Sequence, residues 1–130
     1  MTTNREDERW ERGLAARREV LGANHVDRST QVSSFSLPLQ ELVTKVCWGD
    51  IWTRPGLDRR TRSLLNLAML TALNRSHELA VHIRGAINNG CSTEEIQEAL
   101  LQTAVYCGMP AGLESFRVAE RTLNEISDES

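Results

Sequence analysis

The sequence predicts an all-α fold, and three observations carry that expectation. Apolar residues recur at spacings of three and four along most of the chain. Helix start and stop signals bracket those runs. No stretch alternates apolar and polar residues as a half-buried strand would. The expected architecture is a bundle of about six helices joined by short connections. With 130 residues there is room for one hydrophobic core, so residues 1–130 are expected to form a single domain. A hydrophobic content of 40% beside 25% charged residues is that of a folded chain and argues against extensive disorder.

Residues 4–20 are charged, with Trp10, Leu14 and the pair Arg17 and Arg18 at near-helical spacing. They read as a first helix, stopped at Gly22. Residues 24–31, NHVDRSTQ, have no apolar periodicity and read as a polar connecting segment. Pro38 suits the first turn of a second helix, where its missing N–H costs nothing. That helix carries Leu39, Leu42, Val43, Val46 and Cys47 on one face and is expected to end by Gly49, before a turn at Arg54, Pro55, Gly56 and Leu57.

Asp58 is placed to cap a third helix, with no glutamate to complete a capping box. Leu64, Leu65, Leu67, Ala68, Met69, Leu70, Ala72 and Leu73 make this helix apolar on almost every side. Such a helix must be buried on more than one face, and in a short chain the extra burial points to another subunit. Residues 76–88 follow as a helix with Leu79, Ile83, Ala86 and Ile87 in one stripe and Gly90 as its left-handed exit. The run Ser92, Thr93, Glu94, Glu95 is a full capping box opening the next helix. Its inner face is Ile96, Ala99, Leu100, Thr103, Ala104 and Cys107. Gly108 ends it, and Pro110 starts a last helix carrying Leu113, Phe116, Val118, Ala119 and Leu123.

Several function classes are set aside by composition. A net charge of −3 gives no reason to expect a nucleic-acid partner, because glutamates offset the cations at Arg17, Arg18, Arg54, Arg59, Arg60 and Arg62. The amino terminus lacks the apolar stretch of a secretory signal, and no window approaches the roughly 18 apolar residues that cross a bilayer. A cytoplasmic protein with no membrane contact is expected. Cys47, Cys91 and Cys107 are odd in number and form no Cys-x-x-Cys, which fits structural thiols in a reducing compartment.

Two groups of residues have the character of a site. His82 lies within an apolar helix, with Glu78 four residues earlier on the same face and Arg75 three before that. Imidazole titrates near neutrality, and a neighbouring carboxylate holds its proton and orientation, so the pair is a credible proton donor. The same pair also suits a purely structural contact. A metal site is poorly supported, since His77 is adjacent to Glu78 and points elsewhere. The second group is Lys45, Trp48, Trp52 and Arg54: two indoles and two cations that suit a small anion pocket, or equally a core or an interface. His25, Asp27 and Arg28 form a third, polar cluster whose ordinary role is solvation.

Three segments bear a family resemblance: RREVLGANHVDR from Arg17, ELVTKVCWGDIWTRPGL from Glu41, and residues 58–90 with NRSHELAVHIRGAINNG at their centre. Over residues 10–123 the chain resembles the carboxymuconolactone decarboxylase family, which also contains the AhpD-like alkylhydroperoxidases. The resemblance implies an all-helical AhpD-like fold assembled as a trimer or hexamer. In the peroxidase-like branch a Cys-x-x-Cys pair precedes a histidine. Here His82 matches that histidine while Arg75 and Glu78 replace the two cysteines, so thiol redox chemistry is not expected.

The implied reaction is cofactor-free and metal-free decarboxylation of an anionic lactone, 4-carboxymuconolactone, to 3-oxoadipate enol-lactone in the beta-ketoadipate pathway of protocatechuate catabolism. The lactone carbonyl accepts the electron pair of the breaking bond, and the resulting dienolate is then protonated. Under this reading Arg28, Arg54 or Arg75 grips the substrate's acetate arm. Trp48 and Trp52 desolvate the departing carboxylate. His82 is the proton donor, oriented by Glu78. In a variant, His82 bonds the dienolate oxygen while Glu78 or water delivers the proton, and His25 is a further candidate for either task. The alternatives are the same fold acting on another small carboxylated or lactone substrate, and a non-catalytic helical oligomer.

Overall fold

Most of the expected glycine, proline and capping signals punctuate the chain, Gly49 excepted, and the elements between them are helical. The computed structural model describes residues 5–129. They form α1 (Arg5–Leu21), α2 (Ala23–Ser29), α3 (Leu37–Leu42), a π-helical segment (Val43–Ile51), α4 (Arg59–Ala72), α5 (Ser76–Asn88), α6 (Thr93–Cys107) and α7 (Met109–Glu129). The fold is all-α, as predicted, with no strand among the described residues. Asn4, the expected start of the first helix, lies outside them. The chain divides into two compact units, one ending at Leu57 and one beginning at Asp58.

In the first unit the backbones of α1 and the π-helical segment touch. A Cβ on Gly13 would lie 1.9 Å from the carbonyl oxygen of Thr44, and one on Gly49 would lie 2.8 Å from that of Arg9. Gly49, expected to stop a helix, therefore serves as a crossing point inside one. The helix that begins at Leu37 does not end there. It relaxes into π geometry, with Trp52 N–H bonded to the Cys47 carbonyl at 3.0 Å. Arg9 binds Asp50 through Nη2 at 2.6 Å, and Arg12 Nε donates to the Gly49 carbonyl at 3.0 Å. Ala16, Val20, Trp48 and Trp52 fill the core of this unit.

Two expectations for this unit need correction. Residues 24–31 are not a plain connection: Ala23–Ser29 is helical, entered from Gly22 at φ 92°. Its single inward apolar residue, the fully buried Val26, is too little to produce a periodic signal. The buried face of α1 runs through Gly13, Ala16, Arg17 and Val20, while Trp10 and Leu14 are only half-buried. Helical spacing from Trp10 had picked the neighbouring stripe.

The second unit follows the predicted order closely. The Asp58 carboxylate accepts from Thr61 N–H at 2.7 Å, capping α4. Ser92 and Glu95 complete the capping box of α6 at 3.0 and 2.9 Å. Leu67, Leu79, Ile83, Ala86, Ile96, Leu100 and Val118 form the core where α4, α5, α6 and α7 meet. At roughly 1.5–3 kcal/mol per buried aliphatic side chain, this cluster is the main source of the unit's stability. On the opposite side of α4, Leu65, Met69 and Leu73 are exposed, Leu73 at 64%, and beside them on α6 Tyr106 is 81% exposed.

Candidate active site

The second unit presents two members of the predicted stripe, Glu78 and His82, on one helix, with Arg75 just outside it. Arg75 is the N-terminal flanking residue of α5, and Glu78 stands in its first turn. His82 is one turn further on. Arg75 and Glu78 are exposed, whereas His82 is half-buried. Its Nδ1 lies 3.3 Å from Nδ2 of Asn66 on α4.

With the amide in this orientation, Asn66 donates to Nδ1, and the ring proton of the neutral imidazole then resides on Nε2. A second polar tie joins the same two elements: Asn89 Nδ2 donates to Ser63 Oγ at 2.9 Å. Ser63 and Asn66 are three residues apart on α4, so one polar edge of that helix serves both ties. Asn66 was not singled out from sequence, because a partner 16 residues away on another helix leaves no local spacing signal.

The first unit holds the remaining candidates. Trp48 and Trp52 are buried and stacked, their ring centroids 4.7 Å apart and their planes at 25°. They belong to the core of the unit, which is the structural reading the sequence had left open. His25 is half-buried on α2. Ser29 Oγ donates to its carbonyl at 2.9 Å and lies 3.4 Å from its ring Nε2. Arg28 is exposed on the same helix, and Arg54 is exposed just beyond the π-helical segment. Asp27 is engaged by Arg18 Nη2 at 2.7 Å.

A cation outside the predicted set is the more unusual feature. Arg17 is only 7% exposed. Its Nη1 donates to Gln40 Oε1 at 2.9 Å and to Thr44 Oγ1 at 3.3 Å. Desolvation lowers its pKa, opposed by the nearby Cys47. The Cys47 thiol is pushed up by desolvation, against the pull of Arg17 and a hydrogen bond with Trp52. It is therefore a neutral neighbour and not a counter-ion.

Among the described residues no three His, Cys, Asp or Glu side chains are grouped to hold a metal ion. Nor is any helix there long and apolar enough to cross a membrane. The described groups suit proton transfer and the binding of small anions.

Comparison with known proteins agrees. The carboxymuconolactone decarboxylase family model matches residues 38–121. The chain belongs to that family. It is 43% identical over 120 residues to the nitrosuccinic acid decarboxylase npaB of Metarhizium robertsii, covering 92% of this chain and 84% of that protein. It is 38% identical over 122 residues to the 4-carboxymuconolactone decarboxylase of Acinetobacter baylyi, covering 93% and 91%. An uncharacterized 15.0 kDa protein of Paracoccus denitrificans is 30% identical over 84 residues, 63% of each chain. Carboxymuconolactone decarboxylase family membership and two decarboxylase relatives spanning almost the whole chain support decarboxylase activity.

Proposed function

We propose that this chain is a cofactor-independent decarboxylase of a small dicarboxylic acid, with 4-carboxymuconolactone as substrate and His82 at the reacting centre. The observation that carries the reading is that both relatives matched over nine-tenths of the chain are decarboxylases of such acids. Their substrates share one chemical logic. In 4-carboxymuconolactone the bond to the departing carboxylate breaks, and its electrons pass through the ring double bond to the lactone carbonyl. In nitrosuccinate the electrons pass to the nitro group, giving a nitronate. Each anion then takes a proton on carbon, and each product keeps one carboxylate. The substrate supplies its own electron sink, so the protein has only to bind, orient and manage one proton.

His82 fits that last task. With Asn66 donating to Nδ1, the neutral ring carries its proton on Nε2, the atom we assign to the oxygen on which charge develops; with the amide turned to offer its oxygen to Nδ1–H, a protonated ring delivers the proton instead. Glu78, on the exposed side of the same helix, is the group that returns or relays a proton. Arg75 adds positive charge at the start of α5 for the carboxylates. The roles of His25, Arg28, Arg54, Trp48 and Trp52 in substrate binding belong to the same proposal. So do a cytoplasmic location and a trimer or hexamer formed over the exposed apolar face of α4 and α6.

The higher identity to the nitrosuccinic acid decarboxylase favours a second reading, with nitrosuccinate as substrate. The deciding experiment measures carbon dioxide release from freshly generated 4-carboxymuconolactone and, in parallel, from nitrosuccinate, for the purified protein and its His82→Ala variant. Faster turnover of the lactone, with loss in a folded variant, supports the proposal. Preference for nitrosuccinate replaces the substrate and leaves the chemistry. Release from neither rejects both readings.

A further inference from the structure

We propose that Arg17 is the carboxylate-binding residue of an anion site in the first unit. The site takes small organic acids through the Nε and Nη2 edge of the guanidinium.

Removing a guanidinium from water costs several kcal/mol unless an opposite charge and full hydrogen bonding replace the lost hydration. Arg17 sits in the fourth turn of α1, on the stripe that packs against the π-helical segment, and it is more than nine-tenths buried. A guanidinium has five N–H donors. The contacts to Gln40 and Thr44 both use Nη1 and both end on neutral oxygens. Nε is buried without a hydrogen-bond partner. No carboxylate of the described residues pairs with Arg17. Cys47, the titratable group beside it, is held protonated and gives no counter-charge.

The arrangement of the two contacts identifies the ligand. With Nη1 anchored, the remaining Nε and Nη2 donors lie along one edge of the planar group, the edge that meets a carboxylate with two parallel hydrogen bonds. Gln40 and Thr44 stand on α3 and the π-helical segment, so the anchoring couples the cation to an element that π geometry has already displaced from regular hydrogen bonding. A fixed, poorly hydrated cation with an unspent fork is a pre-organised anion receptor. The choice of a small organic acid as the anion rests on the decarboxylase reading, because dicarboxylic acids are what that reaction consumes.

The test titrates succinate, the simplest dicarboxylate probe, into the full-length protein by calorimetry and follows its thermal unfolding, beside Arg17→Lys and Arg17→Met. Lysine keeps the charge and loses the fork; methionine loses both. The expected result is saturable binding with a rise in Tm for the native protein. Affinity should fall roughly tenfold or more in Arg17→Lys and vanish in Arg17→Met, both variants being checked for native helicity. Should Arg17→Met fail to fold, Arg17→Lys alone decides. Unchanged succinate affinity in a folded Arg17→Lys overturns the inference, as does the absence of succinate binding by the native protein. Succinate binding that depends on Arg17, without carbon dioxide release from either substrate, keeps the site and rejects the decarboxylase reading. Turnover of either substrate together with unchanged succinate affinity in a folded Arg17→Lys does the reverse.

Discussion

Asn66 and His82 meet across two helices, amide nitrogen to ring Nδ1 at 3.3 Å. If this contact fixes the working tautomer, Asn66→Ala lowers kcat by roughly 10–100-fold with little change in KM, while His82→Ala costs about 10²–10⁴-fold. Steady-state kinetics on whichever substrate turns over checks both. Equal kcat in Asn66→Ala and the native enzyme removes Asn66 from the mechanism.

Gly13 leaves no room for a side chain, because its neighbour is the Thr44 backbone and not a movable group. Gly13→Ala is therefore expected to destabilise the protein by about 3 kcal/mol or more. Urea unfolding gives the number. A variant as stable as the native chain would mean that α1 and the π-helical segment do not cross as closely as described.

Arg9 holds the Asp50 carboxyl below the ordinary aspartate pKa, chiefly by its hydrogen bond, with Arg12 adding a smaller pull. A carboxylate with a depressed folded-state pKa contributes stability above its unfolded value of about 3.9, and that contribution is lost as the pH falls through the folded value. Asp50→Asn should therefore lower Tm at pH 7, and the gap from the native protein should close below about pH 4. A gap of constant size across that window would show that charge is not its origin.

Ser92 and Glu95 satisfy each other's backbone donors at the start of α6. Replacing Ser92 by alanine should cost about 1 kcal/mol without altering the helix count, as read from denaturant titration and far-ultraviolet dichroism.

Leu73 and Met69 stand exposed on α4 beside Tyr106 on α6. If copies of the chain assemble over this face, Met69→Glu with Leu73→Glu should reduce the particle mass in light scattering while helicity is retained. An unchanged mass would move the interface elsewhere.

Capping signals and apolar stripes are local properties, which is why the second unit was legible in advance: Asp58, the Ser92 box, Gly90 and the Leu79 to Ile87 stripe all fell where expected. The first unit was less so. Its helices touch through glycine backbones, and a glycine in sequence reads as a stop whether it ends a helix or lets another one approach. In α2 a single buried valine carries no period.

By itself the sequence determined the all-α class, the order of most helices, and a stripe placing Glu78 and His82 on one helix, because each depends on residues within a few turns of one another. Only the tertiary structure decided that Asn66 is a partner of His82, that Trp48 and Trp52 stack in a core, and that Arg17 is buried beside neutral acceptors. Those relations join residues 4 to 27 positions apart, and burial is set by what packs against a side chain, which no local spacing specifies.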